Sequence, residues 1–541
     1  MLNSKKLSSS ALLKQLLAFL SNPRSYPHRP GRVRLLQTHS SLVFIASPFV
    51  FKVKLPVNFG FLDFSTLEKR RYFCEREVAL NRRMCPKVYL GVEALSLHNG
   101  RIQWGGGGEV VEYVVKMRKL SKNRFLDRLV ALGRVVEDDI DRIAAVLKAF
   151  YEIQKPTEEV ESWGKISRLR ISTEENFRQT SRFVGHTLSR PAFEALHFYT
   201  EKFYHRHKSL FALRIKEHRI LDCHGDLHLE HIHITARALQ IYDCIEFNDR
   251  FRYVDVANDA AFLAMDLDYE GRPDLARHFA ARMASVLSDD GMPRLMDFYK
   301  SYRAYVRGKV ESLHSISKTA PEPERLAAAL RARRYFRLSL RYSVAGSDPL
   351  VLVVMGGIGS GKSALAHAMG AELGWDVYSS DRVRKELAGV PLFERSSSQV
   401  RRHLYATERT NETYDRLLAL AVARVQEGNS VILDATFSRR GHRQRLTRAL
   451  EKRGIQWRFI EAQASASAVR RRLNARGAEA GELSDARIED FEALMRMYES
   501  PDELSPGQCV KVRTMGFLDA AVTTALKKLA IAAMDCARQL C

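Results

Sequence analysis

The sequence predicts two domains of different fold class, an α+β domain followed by an α/β domain with a parallel sheet. In the first half of the chain, strand patterns come first and helical patterns follow, an order typical of α+β domains. In the second half, short apolar strands alternate with helices, as they do in a doubly wound parallel sheet. Between the halves, Ser343–Leu350 concentrates the Gly, Ser, Asp and Pro residues of a linker. We therefore expect domains at residues 1–345 and 349–541.

The composition bounds the function only loosely. With 541 residues, of which 45% are hydrophobic, the chain has ample material for more than one core. Its formal net charge of +23 favours nucleic acid, anionic surfaces or phosphorylated substrates as partners. Basic residues spread over solvated helix faces account for this charge equally well, so the charge by itself selects no function.

Three features predict a cytoplasmic protein without a membrane partner. The seven cysteines are scattered and odd in number, without C-x-x-C spacing, which indicates a reducing compartment and argues against a zinc site. No stretch approaches the roughly 20 apolar residues that span a bilayer. Ser8–Leu20 is apolar on one side but is interrupted by Lys14, which predicts a short amphipathic helix and not a signal peptide.

A glycine-rich loop opens the second half of the chain. The apolar run Val351–Met355 leads into a G-x-x-x-x-G-K-S motif and then into a helix start, which is the context that a P-loop requires. Backbone N–H groups and the helix N-terminus would surround a phosphate chain. Lys362 would reach the β- and γ-phosphates, and the Ser363 hydroxyl would hold Mg²⁺. The motif predicts an ATP and Mg²⁺ site formed by Gly356, Gly357, Ile358, Gly359, Ser360, Gly361, Lys362 and Ser363.

Two carboxylates and two arginines follow this loop at informative positions. Asp381 ends the predicted strand that starts at Trp375, and Asp434 ends a later strand, so both lie where ligands collect beside a parallel sheet. Arg472 and Arg476 are four residues apart on one helix face, where they would close over phosphates as a lid. A solvated basic helix face is the alternative reading of that pair. The tail, residues 478–541, is predicted to be helical.

The first half contains a second group of candidate residues. A β-hairpin is predicted over Leu42–Lys54, and a charged helix over Phe64–Leu80, followed by further strands. Within the helical part, Asp226 and Asp243 would serve phosphoryl transfer, one acting on a hydroxyl and the other holding a metal ion. Surface acids would produce the same pattern. Several histidines lie nearby, and we interpret them as core residues in preference to a metal cluster: His205, His207, His218, His228 and His233.

The segments His224–Asp226 and Ile241–Asp243 resemble the catalytic loop and the metal-binding segment of the aminoglycoside phosphotransferase and choline kinase superfamily, which has a protein-kinase-like fold. Residues 34–341 resemble the first half of a bacterial family in which such a domain is joined to a P-loop (AAA-type, zeta-toxin- or gluconate-kinase-like) ATP-binding kinase domain.

This resemblance implies a role for individual residues. Lys52 would contact the α- and β-phosphates and Glu77 would pair with it, while Lys54, on the same face of the strand, is the rival for that role. Asp226 would be the catalytic base and Asp243 the Mg²⁺ ligand. The segment Lys116–Leu120 would form the hinge over the adenine.

One position departs from the superfamily's pattern. Many members place an asparagine, a second metal ligand, five residues after the catalytic aspartate, where this chain has His231. Imidazole is a poor ligand for Mg²⁺, which prefers hard oxygen donors. Either Glu230 substitutes for that ligand or one metal site is lost, so an active phosphotransferase and a degenerate nucleotide-binding lobe both stay open.

The second half resembles the P-loop kinase group that includes gluconate kinase, polynucleotide kinase and zeta-toxin-like kinases, over about Pro349–Gly477. In that group, the aspartate after the second strand activates the acceptor hydroxyl, and the arginine three residues later binds substrate. Those positions are Asp381 and Arg384 here, with Asp434 as a further substrate-binding residue.

Together the two halves predict an ATP-dependent bifunctional kinase that transfers the γ-phosphate to hydroxyls of small molecules. One alternative is a P-loop kinase acting on nucleic-acid 5′-hydroxyl ends, with nucleic acid as the partner. Another makes the first half a non-catalytic nucleotide-binding regulatory module. The acceptors and the oligomeric state stay open at this stage.

Overall fold

A computed structural model describes residues 9–318, 320–393, 397–476, 489 and 491–539 of the chain. They form two compact units, each built from two stretches of sequence. The first unit comprises Met1–Arg168 and Ser209–Pro293, and the second comprises Leu169–Lys208 and Arg294–Cys541. The division at residues 345 and 349 remains a prediction about sequence domains, since the units are defined by packing.

The strands are β1 (Arg34–Gln37), β2 (Ser41–Ala46), β3 (Phe49–Lys54), β4 (Tyr89–His98), β5 (Arg101–Trp104), β6 (Glu109–Arg118), β7 (Ile220–Asp222), β8 (Ile232–Ile234), β9 (Leu239–Ile241), β10 (Tyr253–Asp255), β11 (Leu350–Met355), β12 (Asp376–Ser379), β13 (Val431–Asp434), β14 (Gln456–Gln463) and β15 (Cys509–Arg513). The helices are α1 (Ser9–Ser21), α2 (Leu67–Asn81), α3 (Leu126–Ala131), α4 (Glu137–Glu152), α5 (Glu158–Ser162), α6 (Ile166–Thr180), α7 (Arg190–Arg206), α8 (Lys208–Lys216), α9 (Val256–Tyr269), α10 (Pro273–Val286), α11 (Met292–Ser315), α12 (Glu322–Val344), α13 (Lys362–Leu373), α14 (Ser380–Ala388), α15 (Ser398–Leu404), α16 (Thr407–Gln426), α17 (Arg440–Glu451), α18 (Ala466–Arg476), α19 (Phe491–Arg496) and α20 (Leu518–Gln539).

The first unit contains an antiparallel sheet in the order β1-β2-β3-β6-β4-β5. The amphipathic helix α1 buries Leu16 and Leu20 together with Phe44 and Phe51 of the sheet. Helix α2 packs on β6 and β4, where Val78 joins a second apolar cluster. Both the predicted N-terminal helix and the predicted β-hairpin are confirmed, and the sheet is covered on two faces.

The rest of the first unit includes two short antiparallel strand pairs and a buried helix. Strands β7 and β10 pair antiparallel, and so do β8 and β9. Helix α9 is almost wholly buried over Val256–Tyr269, with Asp259 and Asp266 among its buried residues. The loop after β7 carries Asp226 and the segment after β9 carries Asp243, and both predicted carboxylates contact the ring of His231.

The second unit contains a parallel sheet in the order β12-β13-β11-β14-β15, which confirms the predicted α/β class. Strand β11 is buried along its whole length, as the central strand of a sheet covered on two faces. One face packs on α13, α20, α7 and α12, and the other face packs on α16 and α17.

The prediction of a helical tail is wrong for Cys509–Arg513, which forms the edge strand β15. Its residues alternate between buried and exposed at the end of the strand, where Lys511 and Arg513 face outward. An edge strand contacts the core with only one face, so polar residues occupy its other face. Its sequence therefore lacks the continuous apolar run by which a central strand is recognised.

Within the described ranges, every helix is too short or too polar to cross a bilayer.

Candidate active sites

The glycine-rich loop of the second unit joins β11 to α13 in a tight turn. Gly356 and Gly359 have φ values of 150° and 64°. A Cβ atom at Gly356 would lie 2.6 Å from the carbonyl oxygen of Ala462, and one at Gly359 would lie 2.8 Å from Cγ1 of Val469. The Ile358 side chain is buried in a small core with Phe491, so Ile358 offers the site its backbone only. The loop is therefore held in one shape beside the carboxyl ends of the strands.

Asp434 lies next to this loop and has an oxygen without a partner. It ends β13, pairs in register with Val354 of β11, and is 2% exposed. Burial raises the pKa of Asp434, while Lys362 and the Ser363 hydroxyl oppose that shift. Its Oδ1 atom and the Ser360 Oγ atom are buried without a hydrogen-bond partner. A carboxylate and a hydroxyl are hard oxygen donors, so Asp434 and Ser363 fit a Mg²⁺ ion.

Asp381 lies in the first turn of α14, beyond the end of β12, and not in the strand itself. An acidic residue is favourable there because the helix N-terminus carries a partial positive charge. Arg384 Nη1 lies 2.9 Å from Asp381 Oδ1, and the guanidinium of Arg384 stacks over the Tyr405 ring at 4.5 Å. The structure thus joins Asp381 and Arg384 as a pair, and the charge of Asp381 acts on Asp434.

Arg472 approaches the loop from α18. Its Nη1 atom donates to the carbonyl oxygen of Gly359 at 3.2 Å and to Oγ1 of Thr514 at 3.3 Å. Thr514, which follows β15, donates in turn to the carbonyl oxygen of Ser360. Sequence reasoning missed Thr514 because it predicted a helix at that position. The side chain of Arg476 lies outside the described residues.

In the first unit, two lysines of β3 share one glutamate of α2. Lys52 Nζ lies 3.0 Å from Glu77 Oε1 and 2.9 Å from Asp243 Oδ1. Lys54 Nζ lies 2.7 Å from Glu77 Oε2 and also donates to Glu246. Alternate residues of a strand point to the same side, so both lysines reach the helix that crosses this face. The side chain of Lys52 is 16% exposed and that of Lys54 only 1%, which leaves Lys52 as the lysine open to a ligand.

Most side chains of this network remain ionised although they are buried. Burial opposes a charge on Asp243, but Lys52 and His231 outweigh it, so the pKa of Asp243 lies well below its ordinary value. Lys52 and Lys54 likewise outweigh burial at Glu77 and lower its pKa. At Glu246 burial prevails over Lys54 and raises the pKa. Lys52, Glu77 and Asp243 therefore stay ionised at neutral pH, as phosphate and metal binding require.

The loop that carries Asp226 is fastened to helix α9. The backbone N–H groups of His224 and Gly225 donate to Asp259 at 3.0 and 2.8 Å, and that of Leu229 donates to Asp266 at 3.0 Å. Sequence reasoning missed both aspartates, which lie seven residues apart. The available signal was the presence of acidic residues within the otherwise apolar Val256–Tyr269.

His224 is the buried neutral histidine of that loop. Its Nδ1 atom accepts from the Asp226 N–H at 3.2 Å, so Nε2 carries the proton and donates to the Tyr242 carbonyl oxygen at 2.9 Å. Burial lowers the pKa of His224 from 6.5 to about 4. The ring therefore acts as a neutral brace between the two predicted carboxylate segments.

This pKa shift predicts how the stability of the first unit depends on pH. Between pH 6.5 and about 4 the unfolded histidine binds a proton that the folded ring does not, so acidification favours unfolding. We expect about 3 kcal/mol of stability to be lost across that window. Denaturant unfolding at pH 4.5 and 7 measures this, and His224→Gln should flatten the dependence. An equal pH dependence in the variant would contradict the assignment.

Two mycobacterial proteins are similar to this chain over most of their length. Uncharacterized protein Rv2004c of Mycobacterium tuberculosis is 33% identical over 401 residues, 74% of this chain and 78% of its own. Uncharacterized protein Mb2027c of Mycobacterium bovis gives the same figures. The chain belongs to the family of these proteins. Residues 351–501 of this family member also match the AAA domain family, beyond the limit near Gly477 that the sequence predicted.

Solved structures give a weaker likeness to this member of the family. A gluconokinase from Sinorhizobium meliloti 1021 is 19% identical, with 36% of this chain and 97% of that chain covered and a TM-score of 0.27. A Plasmodium vivax ethanolamine kinase is 11% identical, with 61% and 95% covered and a TM-score of 0.32.

Proposed function

We propose that this family member is an ATP-dependent phosphotransferase that moves the γ-phosphoryl group of ATP to hydroxyls of small molecules, with one nucleotide site in each unit. The observation that carries the proposal is the buried Asp434 Oδ1 atom, which has no hydrogen-bond partner and lies beside Ser363 and Lys362. A buried, partnerless carboxylate oxygen is costly unless a cation binds it.

In the second unit, the residues divide the work of phosphoryl transfer. The backbone of Gly356–Gly361 cradles the phosphates, and Lys362 neutralises charge on the β- and γ-phosphates. Ser363 and Asp434 hold Mg²⁺, which when bound offsets the charge on the transferring group. As the acceptor oxygen attacks phosphorus and the bond to ADP breaks, Asp381 takes the hydroxyl proton. Arg384 contacts the acceptor substrate, and Arg472 and Arg476 contact the phosphates.

In the first unit, we assign the roles that the superfamily resemblance implies, on a protein-kinase-like fold. Lys52 contacts the α- and β-phosphates and Glu77 orients it, which the 3.0 Å contact between them supports. Asp226 accepts the proton of the acceptor hydroxyl. Asp243, held by Lys52 at 2.9 Å, is the metal ligand, and Lys116–Leu120 is the adenine hinge.

A second candidate makes the first unit a nucleotide-binding regulator of the second. One observation favours it: His231 stands at the expected place of a metal-binding asparagine and lies 3.5 Å from Asp243 Oδ2. A nucleotide held without its full metal complement would bind but not react.

An acceptor screen separates the two candidates. ATP consumption is measured with sugars, polyols, aminoglycosides and 5′-hydroxyl oligonucleotides, on wild type, Asp226→Asn and Asp434→Asn. We expect each variant to lose roughly 100-fold or more in turnover of one acceptor class and to keep the other. Asp415→Asn, which removes a surface acid paired with Arg445, is the matched control.

Full turnover of every acceptor by Asp226→Asn, together with loss of turnover in Asp434→Asn, would assign the first unit to regulation. Full turnover by both variants would overturn the proposed function. Transfer confined to oligonucleotides would assign the P-loop unit to nucleic-acid ends.

A further inference from the structure

We propose that His231 and Asp243 of the first unit bind one divalent cation through nitrogen and oxygen together, and that this site prefers Mn²⁺ to Mg²⁺. The proposal deepens the proposed function and rests on it in one respect, because the triphosphate of a nucleotide would supply the remaining donors.

The hydrogen bonds of His231 decide which ring nitrogen is available. Nδ1 lies 2.9 Å from the carbonyl oxygen of Asp226, and a carbonyl oxygen only accepts, so Nδ1 carries the proton. Nε2 is the ring nitrogen that faces Asp243, and it lies 3.5 Å from Asp243 Oδ2. A cation between these two atoms attracts the carboxylate, and a divalent ion binds Nε2 in place of a proton.

The spacing suits a shared metal ion. Metal–ligand bonds of about 2.1 Å place neighbouring donor atoms roughly 3 to 3.5 Å apart in octahedral or tetrahedral sites. The 3.5 Å separation between His231 Nε2 and Asp243 Oδ2 falls at the upper end of that range. Asp243 is also aimed correctly, since Lys52 is bonded to Oδ1 and leaves Oδ2 on the side of the imidazole.

The surroundings of His231 are those of a metal-ligating histidine. Such a histidine commonly donates its other ring N–H to a backbone carbonyl, which fixes the ring and raises its basicity, and the Nδ1 bond to Asp226 does this. The ring also packs on His228 at 3.9 Å and on Tyr242 at 5.5 Å between centroids. Its side chain is only 12% exposed. The nitrogen is therefore held toward Asp243 before any ion arrives.

The donor set selects the ion. Mg²⁺ binds oxygen in near-ideal octahedral geometry and gains little from imidazole. Mn²⁺ accepts carboxylate and water oxygens as Mg²⁺ does, and it belongs to the series of first-row divalent ions that also bind sites with a nitrogen donor. The P-loop site, with Asp434 and Ser363, offers oxygen donors only. The two units would therefore differ in metal preference. Only the ion in the first unit would have a nitrogen ligand, which is that of His231.

Pulsed EPR of bound Mn²⁺ tests this directly, because a coordinated imidazole adds a ¹⁴N coupling to the spectrum. The full chain is titrated with Mn²⁺ in the presence of inorganic triphosphate, which contains no nitrogen and stands in for the nucleotide tail. Wild type should show one Mn²⁺ population with ¹⁴N coupling and one without. His231→Asn should lose the ¹⁴N coupling, and because the asparagine amide offers an oxygen donor, the preference of the site for Mn²⁺ over Mg²⁺ should fall by about 10-fold or more.

His228→Asn is the matched control, since its Nε2 faces Asp226 Oδ2 at 3.5 Å and not Asp243. It should keep the ¹⁴N coupling. Loss of coupling in this variant as well would move the ion to the group Asp226, His228 and His231 and overturn the assignment.

Three other results bear on the proposal. Absence of ¹⁴N coupling in the wild type would overturn it without any variant, as would full displacement of the coupled Mn²⁺ by an equal concentration of Mg²⁺. A coupled ion in a protein that transfers no phosphate would sustain the metal site and refute the proposed function of that unit.

Discussion

Replacing Lys362 by alanine is expected to reduce kcat/KM for the acceptor of the P-loop unit about 100- to 1,000-fold, the effect of removing one preorganised charge-stabilising group. Lys362 is the first residue of α13, and its charge already acts on the buried Asp434. In the transition state, negative charge grows on the transferring group and on the leaving oxygen, so the loss should fall mainly on kcat.

Initial rates at several ATP and acceptor concentrations measure this effect. Lys452→Ala, which removes an exposed lysine at the end of α17, controls for the change in total charge and should retain full activity. Turnover that depends on the first unit should be untouched in both variants. A loss of less than about fivefold would show that Lys362 stabilises no transition-state charge, since a charge-stabilising group is worth far more.

Replacing Lys54 by methionine is expected to destabilise the first unit by about 3–5 kcal/mol, the cost of breaking a buried ion pair from one side. Lys54 is 1% exposed and is bonded to both Glu77 and Glu246. Without Lys54, the buried carboxylates of Glu77 and Glu246 would keep Lys52 as the remaining lysine of this network. Burial raises the pKa of Glu246, so mild acidification should return part of the lost stability in the variant.

Denaturant unfolding, with hydrogen exchange on β3 and α2, measures the effect of Lys54→Met. Lys69→Met is the matched control, because Lys69 forms an ion pair with Asp63 on the surface. That change should cost no more than about 1 kcal/mol. Adding Glu246→Gln to the Lys54→Met variant should recover stability. Equal losses in the buried and the surface variant would refute the role assigned to Lys54.

The contrast between Lys52 and Lys54 shows where sequence reasoning stopped. Their alternation in β3 placed both on one face, and the resemblance favoured Lys52 for the phosphate contact. Side-chain exposure separates them, since Lys54 is enclosed by Glu77 and Glu246 while Lys52 reaches Asp243. Glu246 could not be predicted, because its contact joins residues 192 positions apart in the chain.

Short sequence patterns were sufficient to predict the elements that depend on neighbouring residues in the chain. The G-x-x-x-x-G-K-S motif required a strand, a tight loop and a helix start, and β11 and α13 supply them. The apolar runs of β11 and β13 identified central strands because such strands are buried on both faces. Two short apolar runs joined by the Ser47–Pro48 turn likewise predicted the hairpin of β2 and β3.

Tertiary structure alone decided the contacts that make these elements into sites. The polar residues of β15 prevented its prediction as a strand. The role of Thr514, which donates to a P-loop carbonyl oxygen, was missed for the same reason. The support of the Asp226 loop by Asp259 and Asp266 depends on a helix that follows it in the chain. Sequence patterns record the period of a helix or strand, whereas such contacts depend on which faces meet after folding, and a short pattern does not contain that information.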